Sequence, residues 1–255
     1  MNRKVITTIA LAGATVAAGI ALGASNQVHQ AEQGDLRCVI SNGTPTHAIG
    51  TFPNKGNPHS FRAQEVRFCF DATPTDTGRI TQGVQTSGVS VTGIPFRPGT
   101  ADWYDARSPR GHSRDRASGW NLEGMGSAEA LGMDAQNAHV DERGLYHYHG
   151  ISPALVSATP STQIGWAADG FPILYVGAAV RSGWMLKPGT RATAPGGRHD
   201  GTYEQDWQYV TGAGDLDRCN GALTKAGYAY FATDTYPFFP RCFRGTVSRD
   251  FMGRR

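Results

Sequence analysis

The chain has 255 residues, 39% of them apolar and 18% charged, with 33 glycines and 14 prolines. This is enough chain for a sizeable core, and the composition excludes a disordered or collagen-like chain while pointing to a loop-rich fold. The formal charge of +3 supplies no general attraction to polyanions, so no nucleic-acid partner is expected.

Residues 1–24 open with Met1-Asn2-Arg3-Lys4 and continue as an uncharged run of aliphatic, Ala, Gly and Thr residues. That is the pattern of a secretory signal peptide. The alternative is an uncleaved anchor, because about 20 apolar residues can span a bilayer. Cleavage near Ala24 would leave residues 25–255 as a single β-rich domain, secreted or periplasmic and without stable membrane insertion. The four cysteines fit that destination, since an even count in an exported chain reads as disulfides. Local pairing of Cys38 with Cys69 and of Cys219 with Cys242 is favoured over the two other connectivities. A thiolate zinc site is disfavoured, because no C-x-x-C spacing occurs.

Past the signal the local pattern is strand and turn. Apolar residues alternate in Val66–Phe70, Val89–Val91 and Tyr228–Phe231, as in half-buried strands. Helices are expected to be few and short, with Ser127–Gln136 the candidate, and residues 105–119 and 186–202 read as polar surface loops. The predicted fold is mainly β: a Gly-rich antiparallel sandwich or barrel-like domain.

Two segments share a pattern. Gly88-Val89-Ser90-Val91-Thr92-Gly93-Ile94-Pro95-Phe96 resembles Gly165-Trp166-Ala167-Ala168-Asp169-Gly170-Phe171-Pro172-Ile173, with Thr-Gly and Asp-Gly pairs that suggest hairpin turns having positive φ at both central positions. Downstream, Asp134-x-x-Asn137 and Tyr146-x-Tyr148 find matches in Asp217-x-x-Asn220 and Tyr228-x-Tyr230. An N-terminal segment 25–86 followed by pseudo-repeats at about 87–150 and 164–235 is therefore expected. In that alignment His139, His147 and His149 face Ala222, Ala229 and Phe231, so histidine chemistry belongs to one half only. Asp134, Asn137, Asp217 and Asn220, being present in both, suit turn duty.

His147 and His149 stand two residues apart, and a strand would send both to one face. The turn-forming Asp141-Glu142-Arg143-Gly144 can bring His139 beside them, giving three imidazoles for one metal ion with a position left open. His47 and Asp141 are candidate additional ligands. His29, His59, His112 and His199 lie in polar stretches and are expected to be solvated. No nucleophile elbow, Walker or dinucleotide fingerprint is present.

The tetrapeptide Tyr146-His147-Tyr148-His149 carries a resemblance. With Thr46-His47, Phe52-Pro53-Asn54, Asn57-Pro58, Gly88–Phe96, Ala138-His139-Val140, Ile164–Ile173, Leu216–Gly221, Tyr236-Pro237 and Cys242, the chain resembles the YHYH family of mostly secreted bacterial proteins. The resemblance implies an exported protein and raises metal binding by the histidines. Similar sequences often carry a further histidine where this chain has Ala229, which implies that any second metal site is absent here.

The expected function is therefore an exported protein that binds one transition metal ion, copper or zinc, through His139, His147 and His149, as a metal-dependent enzyme or a metal-handling protein. The alternative is a cell-envelope or polysaccharide-binding module in which aromatics such as Trp103 and Trp166 stack on sugars and the histidines are structural. A small-molecule or glycan ligand fits either reading, and the doubled halves favour a monomer.

Overall fold

The computed structural model describes residues 25–253, so the expected signal segment lies outside the described residues. Among the described residues the fold is mainly β, with antiparallel and mixed sheets, one short α-helix and no closed barrel. Strands β1 (Val28–Gln33), β2 (Leu36–Ser41) and β3 (Val66–Asp71) form a three-stranded antiparallel sheet. Across β2 and β3, Cys38 stands opposite Cys69 and is bonded to it. Cys219 is bonded to Cys242 in β18 (Cys242–Phe243), which pairs with β4 (Thr81–Gln82). Each link closes a loop of a few tens of residues, a constraint on the unfolded chain of about 3 kcal/mol.

The main sheet has eight strands: β5 (Gly88–Ser90), β6 (Pro95–Phe96), β10 (Ala138–Val140), β11 (Tyr146–Tyr148), β12 (Gln163–Ala167), β13 (Pro172–Tyr175), β16 (Gly221–Thr224) and β17 (Gly227–Ala232). Their spatial order is β10-β11-β6-β5-β12-β13-β17-β16. Four hairpins are joined by a parallel contact of β11 with β6, an antiparallel one of β5 with β12 and a parallel one of β13 with β17. The β5–β6 and β12–β13 turns bond Gly93 N–H to the Ser90 carbonyl and Gly170 N–H to the Ala167 carbonyl. Only the glycines there take positive φ. These are type I turns closed by a left-handed glycine, not the expected turns with two positive φ values, which removes the strain a Thr92 or Asp169 in that region would carry.

Apolar side chains of the small sheet pack on one face of the large one, so that Val39, Phe68 and Phe70 share a core with Phe96, Tyr146, Tyr148, Ile173 and Tyr230. Burying that much aromatic surface is the main source of stability. Two further sheets are the three-stranded β7 (Gly99–Tyr104), β8 (His112–Ser113) and β9 (Asn121–Glu123), whose following Gly124 packs against His149, and the ribbon of β14 (Trp184–Leu186) and β15 (Trp207–Tyr209).

The expected helix at Ser127–Gln136 does not form. A 3-10 turn at Met125–Ser127 gives way to turns, because Gly132 takes φ +63 where the Gly56 backbone packs against it and Asp134 Oδ1 accepts the Gln136 N–H. The one α-helix, α1, is Pro153–Ala158, with Ser152 Oγ accepting the Leu155 N–H and Pro153 in the first turn, the start signal described for short helices.

Candidate metal centre

The edge hairpin β10–β11 builds the site. Asp141 closes its turn: Oδ1 accepts the N–H groups of Arg143 and Leu145, and Gly144 adopts φ +86. This register sets His139 opposite His147. The strand period then aims His147 and His149 to the same side, while Tyr146 and Tyr148 enter the core on the other. At the far end the His149 N–H bonds to the carbonyl of Asn137, which takes φ 56.

The three rings form a nearly equilateral triangle, with centroids 4.8, 4.7 and 4.9 Å apart. One nitrogen from each lies within 4.8 Å of the others. His139 Nδ1 bonds to the Leu131 carbonyl at 2.9 Å and His147 Nδ1 to the Leu145 carbonyl at 3.1 Å. A nitrogen bonded to a carbonyl carries the proton, so in both rings Nε2 is the free lone pair. His149 Nε2 lies 3.1 Å from His139 Nε2. Its Nδ1 is buried and makes no hydrogen bond among the described residues, although the Pro98 carbonyl lies on that side of the ring.

His147 and His149 are buried, and His139 is partly open. Burial holds all three imidazoles below their ordinary pKa, and well below it for His147 and His149, where the neighbouring imidazoles and the Arg97 guanidinium add to the effect. At neutral pH the triad is uncharged, the state in which imidazole ligates a metal.

Gly124 lies against His149: a Cβ there would stand 2.5 Å from Nδ1 and 2.9 Å from the Pro98 carbonyl oxygen. Arg241 Nη2 donates to that carbonyl at 3.2 Å, and its guanidinium is gripped by Glu123 and Glu204 beneath the Tyr236 ring. Burial pushes the Glu123 carboxyl up, against the pull of Arg241.

The other sequence candidates stand apart from the triad. His47 is on the Tyr face of β11, its Nε2 2.7 Å from the Tyr148 hydroxyl, so the sheet lies between it and the three histidines. Asp141 accepts Arg97 Nη1 at 2.8 Å besides its turn contacts, which accounts for both of its oxygens. His112, expected in solvent, is buried with Nδ1 3.5 Å from Asp102 Oδ1. Trp166 is buried between Phe70 and the Arg37 guanidinium, and Arg116 lies over the Trp103 ring; these two do not form a stacking surface. Sequence reasoning missed Pro98, Gly124 and Arg241, whose roles depend on contacts distant in the chain. Arg97 carried a signal, since it directly follows the Gly88–Phe96 motif.

These features define a mainly β protein, braced by two disulfides, with a three-histidine cluster on an edge hairpin. Residues 67–245 match the YHYH protein family, and the chain belongs to it. No curated protein and no solved structure matches the chain.

Proposed function

We propose that the protein is exported and holds one transition metal ion on the Nε2 atoms of His139, His147 and His149. The observation that carries this reading is the convergence of three neutral imidazoles, two of them with Nδ1 fixed on backbone carbonyls, beside a third whose Nδ1 has no partner. Zinc–nitrogen distances of about 2.0–2.1 Å place tetrahedral ligand atoms about 3.3 Å apart, close to the 3.1 Å between His139 and His149 Nε2. A shared ion also removes the need for a proton between those two nitrogens. The His149 proton can then sit on Nδ1, toward Pro98, and the unsatisfied atom disappears.

Imidazole suits copper and zinc best. Three protein ligands leave a coordination position for water or substrate, and a bound ion would supply Lewis acidity, or redox chemistry in the case of copper. Both disulfides fit an oxidising compartment, and no helix among the described residues is long and apolar enough to cross a membrane. The test is metal analysis by mass spectrometry of untagged protein purified from an oxidising compartment, beside the His147→Ala, His149→Ala double variant. About one equivalent of copper or zinc in the parent and none in the variant is expected. Equal metal in the two, or none in either, would overturn the reading.

A further inference from the structure

A cleft of about 690 Å³ opens at the turn end of the same hairpin, lined by Asp141 and Leu145, two residue pairs beyond His139 and His147. Arginines from four separate segments line it: Arg67 on β3, whose guanidinium donates to Gln33 Oε1 at 2.9 Å, Arg97 after β6, Arg143 in the β10–β11 turn and Arg249 near the C-terminus. Arg97 is the fixed one. Its Nε donates to Thr86 Oγ1 at 3.0 Å and its Nη1 to Asp141 at 2.8 Å, while its Nη2 makes no hydrogen bond among the described residues. Arg143 and Arg249 are exposed, and their guanidinium groups have neither a hydrogen bond nor an ion pair among the described residues.

The lining sets these four arginines against three acids, Glu65, Asp141 and Asp250, so a formal excess of one positive charge remains. Asp141 is committed to Arg97 and to two backbone N–H groups. Asp250 accepts the Cys69 N–H at 2.8 Å and keeps its negative charge. Guanidinium groups recognise carboxylate and phosphate oxygens through paired N–H donors. A preoriented arginine flanked by two uncommitted ones is thus a receptor for oxyanions, and the volume falls in the range of small-molecule sites.

We propose that this cleft binds a small, multiply charged oxyanion ligand, carrying carboxylates or phosphates, with one anionic group seated on Arg97 between Arg143 and Arg249. The site stands on its own residues and does not depend on a metal at the histidines. A ligand with several charges is favoured over a monoanion because the arginines come from different segments and are spread around the cleft.

Calorimetric titration of the full chain at low salt, stripped of metal, tests this with three probes: citrate, inorganic phosphate and a galacturonate disaccharide. The parent, an Arg143→Gln, Arg249→Gln double variant and the His147→Ala, His149→Ala variant are compared. Both arginines are exposed, and neither guanidinium has a partner among the described residues, so their replacement leaves the fold intact. Saturable binding by the parent is expected, weakened by salt, reduced about tenfold or more in the arginine variant and unchanged in the histidine variant. A preference for citrate and galacturonate assigns carboxylate chemistry, and a preference for phosphate assigns the other source. Absence of saturation by all three probes, or equal binding in the parent and the arginine variant, would overturn the cleft. Loss confined to the histidine variant would also overturn it while leaving the metal reading in place.

Discussion

His139 Nε2 and His149 Nε2 are 3.1 Å apart, and that single distance has two chemical meanings. Without a metal, one nitrogen must donate to the other. Since His139 keeps its proton on Nδ1 for the Leu131 carbonyl, the donor is His149 Nε2–H, and His149 Nδ1 becomes a buried acceptor with no donor, a state that costs about 1–3 kcal/mol. A metal ion replaces that proton. Nitrogen-15 spectra of the imidazoles should therefore show His149 protonated on Nε2 in the stripped protein and on Nδ1 after one equivalent of zinc, with His139 and His147 protonated on Nδ1 throughout. An unchanged His149 tautomer on loading would contradict the assignment.

Gly124 follows from the same contact. A methyl group there would sit 2.5 Å from His149 Nδ1 and 2.9 Å from the Pro98 oxygen, so Gly124→Ala must displace the ring, the carbonyl or both. Contacts that orient metal-ligating histidines typically alter affinity 10–100-fold. Gly124→Ala should weaken zinc by about that factor in a competition assay while both disulfides still form. Parent-like affinity would mean that the ring does not need this position to ligate.

The histidine cluster was legible because it rests on two local rules, strand alternation and a tight turn, acting over the eleven residues from His139 to His149. The same alternation, applied to Tyr148, put the tyrosines on the opposite face, and that is where His47 is found. A position near residue 47 says nothing about which face of a remote strand its side chain will reach. Arg241, which holds the Pro98 carbonyl from more than a hundred residues away, was invisible for the same reason. The expected helix at Ser127–Gln136 failed for a tertiary reason too, the close approach of Gly56 to Gly132. Helix propensity does not record such contacts.

Acid should destabilise the metal-free protein in a defined window. Burial holds His147 and His149 well below the ordinary histidine value of about 6.5 in the folded state, so between that value and their folded pKa values the unfolded chain binds more protons than the folded one. Stability is then fully present above about pH 6.5 and falls as pH drops, with each imidazole adding about 1.4 kcal/mol per pH unit at full effect. Urea midpoints should be flat from about pH 7.5 to 6.5 and decline toward about pH 5. The His147→Ala, His149→Ala variant should show a shallower decline, and an equally steep one would place the acid sensitivity elsewhere.

Tyr146 donates to Asp134 Oδ2 at 2.7 Å, and Tyr228 to Asp217 Oδ2 at 2.9 Å. Around both pairs the backbone repeats itself: Asn137 and Asn220 take positive φ, and their carbonyls accept the N–H groups of His149 and Phe231. Ala222 pairs with Ala229 as His139 pairs with His147. On these contacts we propose that the two halves are versions of one unit, with histidines in only one. Their charge environments differ, because Asp217 also accepts Arg244 Nε at 3.0 Å whereas Asp134 takes, besides Tyr146, only backbone N–H groups from Gly50 and Gln136. Tyr146→Phe removes one of the few donors to a carboxylate without a cation and should cost about 2 kcal/mol. Tyr228→Phe leaves the Asp217–Arg244 pair in place and should cost less, with metal content unchanged. Urea unfolding of the two variants checks the order, and a larger loss for Tyr228→Phe would mean that Arg244 does not compensate for the missing hydroxyl.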